Sequence, residues 1–381
     1  MKQNEILKSY GTDYKEMAKQ LLIKADLVSL LLAKLSELSK PNNLSIGIKP
    51  NLVAPTPASF GATTHPEIVE GIIEFLKENG FDNITILEGS WVGDKTSEAF
   101  EFCGYNALAK KYNVKIFDTQ KDTYKTVIHN NYNVNICSCL DNIDFLINVP
   151  VLKGHCQTKM TCALKNLKGV IPNTEKRRFH TEGLHKPIAY LNKAIKQDFI
   201  VVDHICGDPD FEEGGNPLVT NCIMAGLDPV LIDSCACDIL GYKPSDVEYV
   251  SLADSLGIGC ADLSKASIIT INGEKTNSTS TIHKLLEVNY LANEIDSCSA
   301  CYAALTAALE ILKDEGLLEY LDKKICIGQG YKNAPPSDDK IGIGACCASF
   351  KLNVKGCPPT EKEIYAYLKE YIKARQESQQ K

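Results

Sequence analysis

The residues best suited to chemistry are cations and amides that crowd behind a buried apolar run between Asp144 and Pro172. The run FLINVPV at 145–151 has the character of a strand covered on both faces of a parallel sheet. Polar side chains then follow within sixteen residues, namely Lys153, His155, Gln157, Lys159, Lys165, Asn166 and Lys168. Open α/β sheets bind ligands at the carboxyl ends of their strands. The pattern therefore predicts a concave anion site there.

Other strand ends are expected to contribute to the same site. The predicted catalytic residues are Lys153, His155, Lys165 and His180, and the predicted substrate-binding residues are Lys49, Asn51, Asn166 and Asp203. A lysine crowded by other cations loses proton affinity and can act as a base or a Schiff-base nucleophile. Histidines can relay protons near neutral pH. Structural alternatives stay open: a strand cap for Lys49, solvated charges for Lys153 and Lys165, a backbone contact for His180 and a turn or helix cap for Asp203. His65, before Pro66, is interpreted as a cap-region residue outside the site.

A second group of candidates consists of cysteines near the carboxyl terminus. Cys298 and Cys301 form a CxxC at the start of a predicted helix, Cys346 lies in GxC, and Cys357 lies in GCPP. A helix amino terminus stabilises thiolates, and glycines let backbone amides approach the sulfur atoms of a cluster. Four cysteines in this arrangement favour a [4Fe-4S] cluster. Structural zinc and no metal at all are the alternatives. Cys347 can replace Cys346 as a ligand, and Cys326 is either a neighbour of the site or a core residue.

Strands and helices alternate through the region that must position these residues. Residues 13–40 carry an apolar pattern with helical spacing, and from residue 44 onward strands alternate with helices. This alternation predicts an α/β fold with a mostly parallel, doubly wound sheet and a smaller C-terminal α/β cysteine-rich domain. The predicted boundaries are 1–40 for an N-terminal helical segment, 41–290 for the α/β domain and 291–381 for the cysteine-rich domain. A Ser/Thr-rich turn at 276–281 lies near the second boundary.

Composition excludes several classes of protein. The chain has 381 residues, a net charge of -7, 44% hydrophobic residues and 16 cysteines. An acidic chain is unsuited to general nucleic-acid binding. The amino-terminal sequence lacks the apolar core of a signal peptide, and no apolar run has the length of a membrane span. We expect a cytoplasmic protein with reduced thiols and no membrane partner.

Between Lys49 and about Gly257 the chain resembles the family known as Domain of Unknown Function 362. The motifs that carry the resemblance are IKPNLV at Ile48 to Val53, FLINVPVLKGH at Phe145 to His155, TCALKNLKGVIP at Thr161 to Pro172, His180, VVD ending at Asp203, the turn from Gly214 to Pro217 and GLDPVLID at Gly226 to Asp233. The resemblance implies an association with iron–sulfur clusters, which relatives commonly hold in a ferredoxin-like insert. That insert is missing from this sequence, so the C-terminal cysteines would have to replace it.

The cysteine region itself resembles the cluster-binding segment of the small subunits of nickel–iron hydrogenases and the related Complex I subunit. There a CxxC, a GxC and a GCPP loop hold a cubane cluster. The resemblance extends over roughly sixty residues and implies that Cys298, Cys301, Cys346 and Cys357 are the ligands.

The leading functional hypothesis is an iron–sulfur oxidoreductase that acts on a small anionic substrate, with a ferredoxin-type electron donor as a possible partner. A non-redox lyase, racemase or isomerase that uses lysine and histidine is the first alternative, and a non-enzymatic electron-transfer or cluster-carrier protein is the second. No GxGxxG or Walker-type loop supports a nucleotide cofactor. Flavin has no supporting motif, and the sequence leaves oligomerisation open.

Overall fold

The computed structural model of the chain describes residues 1–40, 43–272 and 288–379. These residues form two compact units, one made of residues 1–154 and 158–281 and the other of residues 155–157 and 282–381. The division after residue 281 falls in the stretch 273–287. That stretch and the predicted Ser/Thr-rich turn at 276–281 lie outside the described residues.

The first unit is built around an eight-stranded sheet. The strands in this part of the chain are β1 (Glu5–Tyr10), β2 (Ile46–Pro50), β3 (Ile84–Glu88), β4 (Lys115–Asp118), β5 (Tyr124–His129), β6 (Tyr132–Cys137), β7 (Phe145–Val149), β8 (Lys153–His155), β9 (Lys159–Thr161), β10 (Phe199–His204), β11 (Cys222–Gly226) and β12 (Ser267–Asn272). The large sheet has the order β12-β1-β11-β10-β7-β2-β3-β4, and β5 with β6 and β8 with β9 form two-stranded ribbons.

Ten helices of the described residues belong to this unit. They are α1 (Tyr14–Lys24), α2 (Leu27–Glu37), α3 (Pro66–Glu78), α4 (Thr96–Phe102), α5 (Tyr105–Tyr112), α6 (Ala163–Asn166), α7 (Asn173–Glu182), α8 (His185–Ala194), α9 (Pro229–Ile239) and α10 (Glu248–Ser255). Among the helices of the described ranges, none combines the length and the apolar character needed to cross a bilayer.

The large sheet is mostly parallel, which confirms the predicted fold class. Strands β10, β7, β2, β3 and β4 pair in parallel, and β12 is parallel to β1. Only β11 runs the other way, since it is antiparallel to both β10 and β1. Every residue of β7 is buried. Ile147 and Val149 pack into the core on one face, and Leu146 packs into the core on the other face. A strand covered on both faces reads as the continuous apolar run seen in the sequence.

The predicted N-terminal helical segment is not wholly helical. Residues 5–10 form β1, which pairs with β11 and β12 from more than 200 residues further along the chain. Asp26 has a left-handed backbone conformation, with φ of 53°, and it divides the expected helix into α1 and α2. The apolar spacing of residues 13–40 continues across this break, so periodicity alone did not reveal it.

The second unit is a smaller α/β structure, as the fold-class prediction expected. Four parallel strands, β13 (Ala292–Glu294), β14 (Lys324–Ile327), β15 (Lys340–Ile343) and β16 (Leu352–Val354), lie side by side in that order. Its helices are α11 (Ser299–Asp314) and α12 (Glu361–Gln379). Leu305 and Leu309 of α11 share a core with Ile325, Ile341 and Ile364 from the strands and α12.

Candidate functional site

The candidate site lies where the chain changes direction across the large sheet, between β2 and β7. From β2 the chain proceeds outward to β3 and β4, and it then returns to β7 and β10 on the other side of β2. The chain therefore leaves β2 and β7 in opposite directions, and doubly wound sheets bind ligands at the carboxyl ends of strands at such a point. Lys49 lies at the end of β2, Asn51 follows it, and Lys153 follows β7.

Lys49, Asn51 and Asn166 form one buried hydrogen-bonded network with Glu88, the last residue of β3. The Lys49 Nζ donates to Glu88 Oε2 at 2.5 Å and to Asn166 Oδ1 at 3.2 Å. The Asn51 side-chain amide also donates to Asn166 Oδ1, at 3.0 Å. The Lys49 and Glu88 side chains are 1% and 3% exposed. Lys49 is thus half of a buried ion pair rather than a simple strand cap.

Lys153 and Lys165 form a second network that is joined by Glu212. The Lys153 Nζ donates to the backbone carbonyls of Ala62, at 2.6 Å, and Glu212, at 2.8 Å. The Lys165 Nζ donates to the Glu212 carboxylate. Lys153 also donates to Asn51 Oδ1 at 3.3 Å, so Asn51 links the two networks. Five predicted site residues are brought together in this way: Lys49, Asn51, Lys153, Lys165 and Asn166.

The lysines of this site are closed off from solvent. Lys153 is fully buried and Lys165 is 3% exposed, so neither is a solvated surface charge. Their ammonium groups bind oxygen atoms of the protein. Glu212 is the accessible member of the group, with a side chain 19% exposed. An anion that binds here would therefore take the place of the Glu212 carboxylate beside Lys165.

Burial changes the proton affinity of these lysines. It lowers the pKa of Lys153 to about 7, although Glu212 opposes the change, and Lys165 adds to it. Burial also lowers the pKa of Lys49, against the opposing effect of Glu88. A Lys153 amine that is partly neutral at physiological pH can accept a proton from a ligand or return one to it.

The lowered pKa of Lys153 predicts a pH-dependent contribution to stability. Between pH 7 and about 10.5 the amine is neutral in the folded state while it still binds a proton in the unfolded state, so stability increases with pH. We expect the stability of the wild type relative to Lys153→Met to rise by about 1 kcal/mol per pH unit over this interval. Urea unfolding of both proteins from pH 7 to 9.5 measures this difference in stability. The exposed control Lys95→Met should differ from the wild type by an amount that does not change with pH. The same constant difference for Lys153→Met would contradict the lowered pKa of Lys153.

Sequence reasoning missed three residues of the site, Glu88, Glu212 and Lys176. The Lys176 Nζ donates to the backbone carbonyls of Gly89 and Ser90, and burial lowers its pKa to about 8. Glu88 could have been found, because it ends β3 at the same edge of the sheet as Lys49. No local pattern distinguishes Lys176 from the other cations of α7, or Glu212 from the other acidic residues of its loop.

Asp203 binds a histidine rather than a lysine. Its Oδ2 accepts hydrogen bonds from the backbone N–H of His65 and from His65 Nδ1, both at 2.8 Å. Burial lowers the pKa of His65, but the Asp203 carboxylate and the Cys206 sulfur outweigh this effect and raise it to about 10. His65 does occupy the position before α3, as expected, yet its side chain contributes no cap. The ring is instead part of a polar cluster that the sequence did not reveal.

The two predicted catalytic histidines have other surroundings. His155 is buried, and its ring Nδ1 accepts a hydrogen bond from the backbone N–H of Gln157. It belongs to the second unit, with residues 155–157. His180 lies on α7, and its Nε2 is 3.3 Å from the Lys168 Nζ.

The four predicted cysteine ligands lie in one region of the second unit. Cys298 precedes α11 at its N-cap position, and Cys301 is in the first turn of that helix. Burial and the nearby Cys298, Cys357, Cys346 and Cys347 together raise the pKa of Cys301 to about 12, and burial is the largest cause. Thiolates repel one another in this way only at short range, so these cysteines lie near one another.

The loops that carry Cys346 and Cys357 are tied together. The backbone N–H of Gly344 donates to Val354, and that of Ala345 donates to Gly356, both at 2.8 Å. Gly344 has φ of +81°, and a Cβ added to it would lie 3.6 Å from Cys301 Sγ. The backbone of this loop thus approaches a cysteine sulfur closely, as expected for a glycine next to a ligand.

Cys347 has different surroundings from the adjacent Cys346. Its side chain is buried, its sulfur donates to the Cys326 carbonyl at 3.3 Å, and it packs with Cys326, Tyr331 and Phe350 in a small apolar cluster. Cys326 is likewise a buried residue of β14. Both cysteines are therefore core residues, whereas Cys346 is partly exposed.

The described residues form no site for a single metal ion. Within residues 1–40, 43–272 and 288–379, no three His, Cys, Asp or Glu side chains lie close enough to share a single metal ion. A tetrahedral zinc site would draw its four ligand atoms to within about 2.3 Å of one point.

Another cleft lies at the opposite edge of the large sheet. It opens near Phe145 and Asp198, which begin β7 and precede β10, and its lining includes Lys34 and Lys196. Lys34 pairs with Glu37 at 3.5 Å, and Lys196 pairs with Asp198 at 3.4 Å. In each pair one side chain is exposed, Glu37 in the first and Lys196 in the second. The chemistry predicted from the sequence lies at the carboxyl ends, so we place the candidate site there.

Comparisons with known proteins agree with the motif resemblance. The family model described as "Domain of unknown function (DUF362)" matches residues 46–238. The chain is 26% identical over 225 residues to the thylakoid-associated protein sll1697 of Synechocystis sp. (strain ATCC 27184 / PCC 6803 / Kazusa), a match that covers 55% of this chain and 67% of that protein.

A solved structure is also similar, the lactate racemase apoprotein from Thermoanaerobacterium thermosaccharolyticum. The TM-score is 0.39 and the identity 13%, over 63% of this chain and 57% of that one. The family model matches residues 46–238, which are half of the 381 residues. The matched region includes Lys49, Lys153 and Lys165. The chain belongs to the DUF362 family.

Proposed function

We propose that this protein is an iron–sulfur oxidoreductase that acts on a small anionic substrate. The observation that carries the proposal is that the start of α11, with Cys298 and Cys301, lies beside the two loops that hold Cys346 and Cys357. A Cβ added to Gly344 would lie 3.6 Å from Cys301 Sγ, and the Ala345 N–H donates to the Gly356 carbonyl. Four thiols from a helix start and two glycine-containing loops are the donor set of a cubane cluster. The buried lysines of the first unit supply the proposed anion site.

The chemistry of the donor set favours a cluster over a single zinc ion. Gly344 lies two residues before Cys346 and Gly356 lies directly before Cys357, so both loops let backbone N–H groups approach the sulfide of a cluster. The start of α11 adds free backbone N–H groups beside Cys298 and Cys301, which stabilise anionic sulfur. This donor set is also the one in the hydrogenase and Complex I small subunits that the cysteine motifs resemble.

Cys298, Cys301, Cys346 and Cys357 would hold the cluster, and the bound cluster would supply single electrons from a ferredoxin-type donor. The remaining steps belong to protein side chains. Lys165 binds the substrate anion once Glu212 has moved away from it. Asn51 orients the Lys153 amine, and the Lys153 Nζ donates or accepts the proton that accompanies reduction.

One observation favours a second function, a lyase, racemase or isomerase without a redox step. Burial lowers the pKa of Lys153 to about 7, which suits a general base that removes a proton next to a carboxylate. In that case the cluster would be structural or would bind the substrate. Turnover that needs no electron donor distinguishes this function from the proposed reductase.

His155 and His180 remain proposed proton carriers. Imidazoles can carry protons near neutral pH, and the His180 Nε2 lies 3.3 Å from the Lys168 Nζ. We also propose the cytoplasm as the location. No disulfide joins any of the sixteen cysteines, all of which fall within the part of the chain that the structure describes.

The anion site is tested by binding of oxalate and inorganic phosphate to the anaerobically purified protein. We expect Lys153→Met to weaken binding of the better of these probes by about tenfold or more, because a buried ammonium donor is lost. Glu212→Gln should strengthen the same binding several-fold, because it removes the internal carboxylate that competes for Lys165. Isothermal titration calorimetry measures both changes.

The exposed lysine of the Lys95–Glu98 pair gives the matched control, Lys95→Met, which should bind as the wild type does. Iron content is measured in the same samples and should be equal in all of them. Equal affinity in the wild type, Lys153→Met and Glu212→Gln would contradict the anion site. Loss of iron in Lys153→Met would instead place that residue in the metal centre.

A further inference from the structure

A thiol, an imidazole and a carboxylate form a connected chain at the carboxyl end of β10. The Cys206 Sγ is 3.8 Å from His65 Nε2, and His65 Nδ1 is 2.8 Å from Asp203 Oδ2. A nucleophile in contact with a base that a third group orients is the arrangement that activates cysteine and serine nucleophiles. The proposed anion site uses neither Cys206 nor His65.

The imidazole is held in one orientation. Asp203 Oδ2 also accepts the backbone N–H of His65, and its Oδ1 accepts the N–H of Ile205 at 3.0 Å. The ring of Tyr14 packs edge-on against His65, with 5.4 Å between the ring centroids. Because Nδ1 donates to Asp203, the Nε2 atom is the one presented to the sulfur.

We propose that Cys206 is a nucleophile that binds small carbonyl compounds covalently, with His65 as its proton partner and Asp203 as the residue that positions His65. The Cys206 sulfur, having given its proton to His65 Nε2, adds to the carbonyl carbon. A carbon–sulfur bond forms while the carbon–oxygen double bond becomes single. The oxygen takes the proton back from Nε2, and the product is a hemithioacetal. The step involves no change of oxidation state and reverses by the same path.

The surroundings of the sulfur select the class of ligand. Cys206 is 5% exposed and the His65 side chain 12%, so only a small molecule can reach them. The His65 imidazole supplies the single proton that addition to a carbonyl needs, and the addition has no leaving group. The Ala58 carbonyl lies 3.4 Å from the sulfur.

The first unit provides a matched cysteine for the test. Cys103 is 8% exposed, and its sulfur contacts the Thr56 carbonyl at 3.2 Å and the Thr63 hydroxyl at 4.0 Å, in place of an imidazole. Burial raises the pKa of Cys103. Cys206 and Cys103 thus have similar burial and lie close to the same loop. Only the Cys206 sulfur contacts an imidazole.

The experiment measures alkylation of the folded full-length protein by iodoacetamide at pH 7, with peptide mapping by mass spectrometry. We expect Cys206 to react about tenfold or more faster than Cys103. Acetaldehyde should slow the reaction at Cys206 and leave Cys103 unchanged. His65→Gln should reduce the rate at Cys206 to that of Cys103, and the neighbouring variant Tyr14→Phe should preserve the fast rate.

Equal rates at Cys206 and Cys103 in the wild type would overturn the proposal, and this comparison requires no variant to fold. Fast alkylation of Cys206 without protection by acetaldehyde would also overturn it, because the assigned ligand would be wrong. The result is independent of iron content and of anion binding, so it leaves the proposed oxidoreductase function untouched in either case.

Discussion

Replacing Glu88 by glutamine should destabilise the first unit by about 3–5 kcal/mol. Glu88 and Lys49 form an ion pair whose side chains are 3% and 1% exposed. The variant leaves the Lys49 ammonium buried without its counter-charge and turns an amide donor toward it. Lys49 must then lose its proton or remain uncompensated, and both outcomes cost free energy in the folded state.

Urea unfolding at pH 7 measures the loss, and Glu98→Gln is the matched control. Glu98 also forms an ion pair with a lysine, Lys95, at 2.7 Å, but the two side chains are 57% and 76% exposed. Exposed pairs contribute about 0.2–1 kcal/mol, so the control should lose no more than that. Similar losses in both variants would show that the pair between Lys49 and Glu88 is not buried as described.

Open α/β sheets bind ligands at the carboxyl ends of their strands, and this rule accounts for most of what the sequence could predict about the site. The apolar run before Lys153 identified a buried strand, and parallel strands bring their carboxyl ends to one edge. That rule grouped Lys49 and Asn51 with Lys153, and the polar stretch after the same strand added Lys165 and Asn166. The structure brings all five together. Strand ends are local features, so the sequence contains them.

The partners of these residues could not be predicted in the same way. Glu212 lies 59 residues after Lys153, in a loop with several acidic residues, and only the folded loop determines which one reaches the lysines. Similarly, Asp203 was identified by its position at a strand end, but its partner His65 precedes it by 138 residues. The His-Pro pair at 65–66 indicates a helix start. That local pattern gives no sign that His65 contacts Asp203.

For the cysteines too, the sequence predicts local features, whereas tertiary packing determines the surroundings of each thiol. Spacing and glycines identified Cys346 and Cys347 as alternatives but could not choose between them. In the turn from Ala345 to Cys347 the two side chains take different directions, and Cys347 packs into an apolar cluster with Cys326. Tertiary packing therefore gives the two adjacent thiols different surroundings, which the sequence did not reveal.

The cysteine assignment predicts a large difference between two neighbouring variants. Cys301→Ser should lose most of its iron, because Cys301 is one of four proposed ligands and its loop partner Gly344 approaches its sulfur closely. Cys347→Ala removes an adjacent thiol from the same unit but only from its apolar cluster. It should keep the iron content of the wild type.

The central claim is tested most directly by iron and acid-labile sulfide per chain, with Mössbauer spectra of the anaerobically reconstituted wild type and both variants. We predict about four irons per chain and the spectrum of a [4Fe-4S] cluster in the wild type and Cys347→Ala, and most of both lost in Cys301→Ser. A wild-type chain that takes up no iron, or one that binds a single zinc ion instead, would contradict the account.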